Sequence, residues 1–368
     1  MHTALQQSPP ERTTLIAQAR HALLDGASPA CAPSWMEPWI ERSWRRCLAD
    51  GRHPSTALSF DSISTQAMRR VAESSRPLVL ASRPTLEKLA RAIAGTRYFA
   101  ILTDAQGVVI DTHGAIDRAD RRAAVIARVG ADLSERAVGT TAIGAALTEL
   151  QPVWLHRGEH FFDDTSIYSC AGAPLFGPDG ECVGMLDLTG VEVAERPELK
   201  HLVAQSARAI ENSLLLSRPH ALALRMNWPG RELGTDTDGL ALLDEDGVVV
   251  GTNSVARQLL PRPATRQHAA LHCSDLFALP WQMLFDTARR DQPPQDLPLW
   301  SGLRLAVQPV SAQRRPTPAA SRAMPLRDVE VQLIRRAVDD ARGNVAEAAR
   351  VLGISRATVY RKLGRRAR

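Results

Sequence analysis

Apolar residues in this chain recur in two rhythms: short, nearly continuous runs broken by turns that contain Asp and Gly, and longer stretches with a period of three to four. The first rhythm appears three times. Runs at 98–102 and 108–110 flank a turn at 104–107, runs at 173–176 and 182–186 flank 178–180, and runs at 240–243 and 248–250 flank 244–247. Asp and Gly supply the turn dihedrals while the flanking runs build sheet, so each copy predicts an antiparallel hairpin. The second rhythm puts Leu199, Leu202, Val203, Ala209, Ile210 and Leu214 on one side of a helix over about 197–216, and predicts a shorter helix at 121–126. Near the start, Ile40 and Trp44 share a helix face, which points to packing or a dimer contact. Hairpins interleaved with helices make the class α+β. The expected organisation is an N-terminal helical segment at 1–84, a first sheet domain at 85–217 and a smaller one at 218–310. The third hairpin opens the smaller domain, followed by a short helix at 253–260 and a last strand at 303–307.

Beyond residue 310 the pattern changes. Residues 311–325 are small, basic and proline-rich without an apolar period, the composition of a flexible linker. From 326 to 368 three short helices are predicted. Val329, Leu333, Ile334, Ala337 and Val338 line one face of the first, which ends at Gly343. Asn344 caps a second through Val345, Ala348, Ala349 and Leu352; Gly353 breaks it, and Ser355 caps a third in which Val359 and Leu363 turn inward. Arg356, Thr358, Tyr360, Arg361, Lys362 and Arg365 remain outward. A helix so composed, after a short glycine turn, suits the DNA major groove, which admits one helix and offers acceptors to Arg and Lys. The competing reading is a solvated basic tail that binds any polyanion, but caps, turn and apolar spacing agree on the folded reader.

Charge sharpens this. Residues 322–368 hold twelve Lys and Arg against five Asp and Glu, net +7, while the rest of the chain carries thirty-three against thirty-five, net −2. Basicity therefore sits where counterion release from DNA would supply affinity. The 368 residues, 44% of them hydrophobic, suffice for two to three domains with real cores. Cys31, Cys47, Cys170, Cys182 and Cys273 are scattered without a C-x-x-C pair, which argues for free thiols in a reducing cytosol over a disulfide framework or zinc ribbon. No leader pattern and no run of some eighteen apolar residues occurs, so a cytoplasmic location without membrane contact is expected.

The tail resembles the Fis-type helix-turn-helix through Gly343-Asn344 and the nearly uninterrupted run from Ala348-Ala349 through Leu352-Gly353-Ile354-Ser355 to Thr358-Val359-Tyr360-Arg361-Lys362-Leu363. The body resembles the N-terminal half of bacterial acetoin/glycerol-catabolism regulators. Ile40-Glu41-Arg42-Ser43-Trp44-Arg45-Arg46-Cys47, Gly139-Thr140-Thr141-Ala142-Ile143-Gly144, Gly158-Glu159-His160-Phe161, Cys170-Ala171-Gly172-Ala173-Pro174-Leu175-Phe176 and Gly184-Met185-Leu186-Asp187-Leu188 carry that resemblance. It implies a GAF-like sensor domain at 85–217, a PAS-like domain at 218–310 whose hairpin leads to Asn253, and a DNA-binding domain at 326–368 that works as a dimer. The chain departs from the family at one point. Nothing matches G-x-x-x-x-G-K-[S/T], the loop that cradles nucleotide phosphates, and barely a hundred residues separate the sensor from the tail. The sigma-54 ATPase common in such regulators is therefore expected to be missing.

Candidate site residues follow. At DNA they are Asn344, Ser355, Arg356, Ala357, Thr358, Tyr360, Arg361, Lys362 and Arg365. Tyr98, Phe99, Thr140, Thr141, His160, Phe161 and Cys170 form the candidate lining of a small-molecule cavity, with ordinary core packing as the competing reading for the apolar members. His156 and His160 lie four apart, with His113 and Cys170 elsewhere in the domain, but aromatic neighbours and the lack of a third nearby ligand argue against metal. Gly139 and Gly144 are read as tight packing before a phosphate cradle, and Cys170 lacks a positioned base for nucleophilic work. No cofactor and no enzymatic activity are expected. The reading is a ligand-responsive, sequence-specific regulator that binds double-stranded DNA as a homodimer and responds to an unidentified small molecule. The alternative is a sensory adaptor that dimerises and acts through RNA polymerase or a partner regulator that carries the ATPase.

Overall fold

The computed structural model describes residues 9–24, 36–260 and 271–312, together with Val338, 344–346, Ala349, Arg356, Val359 and Tyr360. Two compact units result, Met1–Ala312 and Gln313–Arg368. The first holds two five-stranded antiparallel sheets, which the recurrent hairpins required.

Helices come first: α1 (Pro9–Leu24), α2 (Pro38–Ala49), α3 (Thr65–Ser74) and α4 (Arg76–Ala92). A proline opens α2, where a missing N–H costs nothing, and the helix buries Trp39, Ile40, Ser43, Trp44 and Cys47. Ser64 caps α3 by accepting from the Ala67 N–H. Helix α4 runs straight through Pro84, so the boundary expected between 84 and 85 falls inside an element. Packing is the reason: Leu78, Leu86 and Leu89 of α4 share a core with Tyr98, Leu102 and Leu188.

The first sheet comprises β1 (Tyr98–Asp104), β2 (Val109–Gly114), β3 (Val153–His156), β4 (Tyr168–Phe176) and β5 (Cys182–Val191) in the order β2-β1-β5-β4-β3. Between β2 and β3 lie α5 (Arg121–Ile126), α6 (Glu135–Val138) and α7 (Ala142–Glu149), and α8 (Leu199–Leu216) follows β5. Strand alternation sorts the side chains between two cores. Tyr98, Ala100 and Leu102 face α4 and α8. Phe99 and Ile101 face the opposite side, where Trp44 of α2, Ile126 of α5 and Ile143 of α7 pack. Both faces of the sheet are therefore covered, and each fully buried large side chain stabilises the fold by about 1.5–3 kcal/mol.

The second sheet comprises β6 (Leu222–Asn227), β7 (Gly239–Leu243), β8 (Val249–Thr252), β9 (Gln295–Pro298) and β10 (Arg304–Ser311) in the order β8-β7-β6-β10-β9. Helices α9 (Ser254–Leu259) and α10 (Gln282–Arg289) pack on it over a core that includes Leu224, Met226, Phe277 and Leu284. Strand β10 corrects the expected linker start: Ser311 pairs with Leu222, and the Ala312 N–H donates to the Ala221 carbonyl. Burial of Leu305 and Val307 holds the strand in register to that point. Residues 313–325 of the expected linker lie outside the described residues.

In the second unit Ala349 and Val359 are buried, with Val338 and Val345 packed against them. One residue from the first predicted helix, two from the second and one from the third thus meet in a small core, which is what the apolar spacing demanded.

Candidate functional site

Strands β4 and β5 pair in register, Cys170 opposite Thr189 and Gly172 opposite Asp187. Their alternate residues turn Tyr168, Cys170, Asp187 and Thr189 toward the α2/α7 side, where they line a cavity with Phe60, Ile101, Ile126, Leu133, Val138, Thr141, Ala142, Ile143, His160 and Thr165. The atom-free space is about 340 Å³, an upper bound because it includes the mouth. That bound restricts an occupant to a small molecule.

Two polar atoms in this lining lack partners. Asp187 and His160 are both fully buried, yet Asp187 Oδ1 and His160 Nε2 make no hydrogen bond. Burial pushes the Asp187 carboxyl up to about 7, against the opposing hydrogen bond from Thr189. Burial also lowers His160 to about 4, so the imidazole is neutral. Its Nδ1 lies 2.9 Å from the Arg157 carbonyl, which cannot donate; Nδ1 therefore carries the hydrogen and Nε2 presents a bare lone pair. An uncompensated polar atom in a dry site costs about 1–3 kcal/mol, so two of them in one cavity point to a ligand.

The N-terminal helices hold this wall in place. Arg20 of α1 donates to the carbonyls of Gly158, His160 and Phe161 at 3.0, 2.6 and 2.9 Å, which locks the turn that carries His160. From α2, Trp44 Nε1 donates to the Glu159 carbonyl at 2.9 Å, Ser43 Oγ lies 2.7 Å from Thr140 Oγ1, and Arg46 makes a two-pronged bond to Glu135. The Ile40–Cys47 segment is thus a brace for the cavity wall.

Of the residues expected to line the cavity, the structure brings Thr141, His160 and Cys170 together. Thr140 is buried behind them against Ser43 and Cys47. Phe161 lines a separate small cavity with Arg20, Leu23, Trp44, Leu48 and Pro54. Phe99 belongs to the core on the cavity side without lining it, and Tyr98 lies on the opposite face with its hydroxyl donating to the Ala194 carbonyl. Adjacent strand residues point to opposite faces, so Tyr98 and Phe99 could not both line one cavity. Asp187 is a site residue that residue type and motif do not single out, although its signal is present: one acidic residue within Gly184-Met185-Leu186-Asp187-Leu188, an otherwise apolar strand segment.

Other candidates resolve structurally. A Cβ on Gly139 would sit 2.7 Å from the Phe162 ring and one on Gly144 2.8 Å from Glu135, so both glycines serve close packing. His156 Nδ1 pairs with Ser169 Oγ at 2.7 Å and His113 Nε2 with Asp111 at 3.0 Å. Among the described residues no three His, Cys, Asp or Glu are grouped to hold a metal. Burial pushes the Cys170 thiol well up, which leaves it a thiol at neutral pH. No described helix is long and apolar enough to cross a membrane.

In the tail, Asn344 Oδ1 accepts from the Ala346 N–H at 3.1 Å, a helix cap, while Arg356 and Tyr360 are exposed beside the buried Val359. Ser355, Ala357, Thr358, Arg361, Lys362 and Arg365 lie outside the described residues.

Comparison with known proteins places these features. Residues 325–365 match the family described as bacterial regulatory protein, Fis family. Over 231 residues the chain is 33% identical to the acetoin catabolism regulatory protein of Cupriavidus necator, covering 60% of this chain and 34% of that protein. It is 28% identical over 188 residues to the propane 2-monooxygenase operon transcriptional activator MimR of Mycolicibacterium goodii, covering 50% and 31%. The chain spans about a third of the length of these two relatives. Among solved structures, a chain of the E. coli DhaR(N)-DhaL complex is similar with 17% identity and a TM-score of 0.46, over 74% of this chain and 92% of that one. Residues 17–212, more than half of the chain, match the family described as MimR, N-terminal domain, and the protein belongs to that family.

Proposed function

We propose that this protein is a ligand-responsive transcriptional regulator that binds DNA through residues 325–365 and senses a small molecule in the cavity bounded by β4, β5, α7 and the His160 turn. The observation that carries the reading is the Fis-family segment, the one strongly basic part of the chain, at the end of a body with a buried, polar-lined cavity. In this reading the first sheet is the GAF-like sensor and the second the PAS-like relay, and the protein acts in the cytoplasm as a homodimer without hydrolysing ATP. A ligand can alter operator affinity only by binding one arrangement of the dimer better than another. Arg356, Thr358, Tyr360, Arg361 and Lys362 meet the DNA.

Selection from a random DNA pool with the full chain tests the reading, followed by gel shifts across a salt series. An enriched palindromic site and a steep salt dependence are expected. Replacing Arg356 or Arg361 by Ala should flatten the log–log salt slope by about one where the contact is to phosphate, or relax the sequence preference where it is to a base. Unchanged binding by both variants refutes the assignment of these residues. Failure to enrich any sequence, with recovery of a partner regulator in pull-downs, favours the adaptor reading instead.

A further inference from the structure

The hydrogen-bond inventory of the cavity restricts what can occupy it. Every polar hydrogen in the lining but one is already committed. Tyr168 donates to the Arg122 carbonyl at 3.0 Å and Thr165 to the Phe162 carbonyl at 2.9 Å. Thr189 donates to Asp187 Oδ2. With that hydrogen spent, the Cys170 thiol, 3.3 Å from Thr189 Oγ1, is the donor of its pair. His160 Nδ1–H is taken by the Arg157 carbonyl. Thr141 alone keeps a hydroxyl hydrogen, since its oxygen accepts from the Gly144 N–H at 3.2 Å. What the cavity offers a ligand is therefore two acceptors, His160 Nε2 and Asp187 Oδ1, and one donor. No Lys or Arg lines it, so nothing compensates an anion, and Asp187 would repel one.

We infer that the cavity selects a small molecule with at least two hydrogen-bond donors and no negative charge, of the vicinal diol or amino-alcohol type, and rejects anions and acceptor-only carbonyl compounds. This rests on the effector reading of the cavity. A donor-rich ligand satisfies both orphan acceptors at once, whereas a dione satisfies neither and leaves their desolvation uncompensated. An amino alcohol gains further because its ammonium meets the Asp187 carboxylate.

Four shape-matched compounds of three or four carbons test this with the full-length protein by calorimetric titration and thermal shift: a vicinal diol, a vicinal amino alcohol, a dione and a 2-hydroxy acid. The diol and amino alcohol are expected to bind and raise the melting temperature, and the other two to bind at least about tenfold more weakly. Asp187→Asn keeps an acceptor for Thr189 and the side-chain shape, and should weaken the amino alcohol about tenfold or more while changing the diol less. The comparison of ligands on the unaltered protein stands even if this variant folds poorly. Equal or tighter binding of the dione or the acid overturns the donor class and leaves the effector reading intact. Absence of binding by all four also overturns it, and the effector reading falls separately only if a broad compound set leaves both melting and DNA binding unchanged.

Discussion

The two sheets begin with the same device. Asp104 Oδ1 accepts from the N–H groups of Gln106 and Val108, and Asp244 Oδ1 accepts from those of Asp246 and Val248. Gly107 and Gly247 close the turns at φ +88° and +82°. The next chain segment crosses each hairpin alike: the Leu133 N–H donates to the Gly107 carbonyl and the Cys273 N–H to the Gly247 carbonyl. All these pairs stand 140 residues apart. The sheets then diverge. The strand beside the hairpin is β5, which comes last in the first sheet, but β6, which comes first in the second.

Their buried polar groups differ as well. Asp238 is fully buried and accepts from Gly234 N–H at 2.6 Å, Thr235 N–H at 3.1 Å and Arg225 at 3.4 Å. Asn253 accepts from the Leu240 and Ala256 N–H groups and donates to Asn212 Oδ1 and the Asp238 carbonyl, all within 2.9 Å. Asn212 lies on α8, so this network fastens the second sheet to the helix that covers the first. Glu211 reinforces the joint by accepting from the Phe176 N–H at 3.0 Å and Ser254 Oγ at 2.6 Å. Polar groups saturated in this way hold structure together, whereas Asp187 and His160, equally buried and left with open atoms, cost stability. The hairpin is shared, but among the described residues only the first sheet keeps uncompensated polar atoms on its inner face.

Substitutions can break this contrast. Asn253→Ala should have the largest effect, a loss of about 4 kcal/mol in urea unfolding, because it orphans two backbone N–H groups and two acceptors. Asp187→Asn should act in the opposite sense at pH 8, with a gain of about 2 kcal/mol, because it removes a buried carboxylate and keeps the bond from Thr189. A loss of stability there would show that Asp187 is structural like Asp238.

The smallest effect is a pair of pH slopes of about 1 kcal/mol per pH unit. Asp187 is raised from 3.8 to about 7, so its contribution is full below pH 3.8 and is lost as pH rises toward 7. His160 is lowered from 6.5 to about 4, so its contribution is full above pH 6.5 and is lost as pH falls toward 4. Between these limits the slopes oppose and the unaltered protein should be nearly flat from this pair. Asp187→Asn should leave stability rising with pH, and His160→Gln should leave it falling. Urea melts from pH 4.5 to 7.5 read both, and parallel curves for the two variants would show that the groups do not titrate as their burial implies.

Much of the first unit's framework is legible in the order of its residues. The three hairpins, α5 and α8 lie where turn chemistry and apolar period put them, and in the tail Val338, Val345, Ala349 and Val359 meet as their spacing required. Strand β6 escapes that pattern although Leu222, Leu224 and Met226 alternate inward, because it follows α8 with no Asp–Gly turn to announce it. Strand β9, Gln295–Pro298, has little apolar signal and is a strand only because β10 pairs with it. Motif and residue type point to Thr141, His160 and Cys170 for the cavity, yet the decisive Asp187 reads only as part of a motif.

By itself the sequence determined what depends on a few neighbouring residues: the Asp-x-x-Gly turns, the alternation within each strand, the caps, and the separation of a basic tail from a slightly acidic body. Those features arise within one turn or one strand, where local sterics and hydrogen bonds decide. Tertiary structure alone decided which strand lies beside each hairpin, which histidine nitrogen stays bare and which buried carboxylate goes uncompensated. Each of those depends on groups far apart in the chain, and only the folded packing settles which partners they reach.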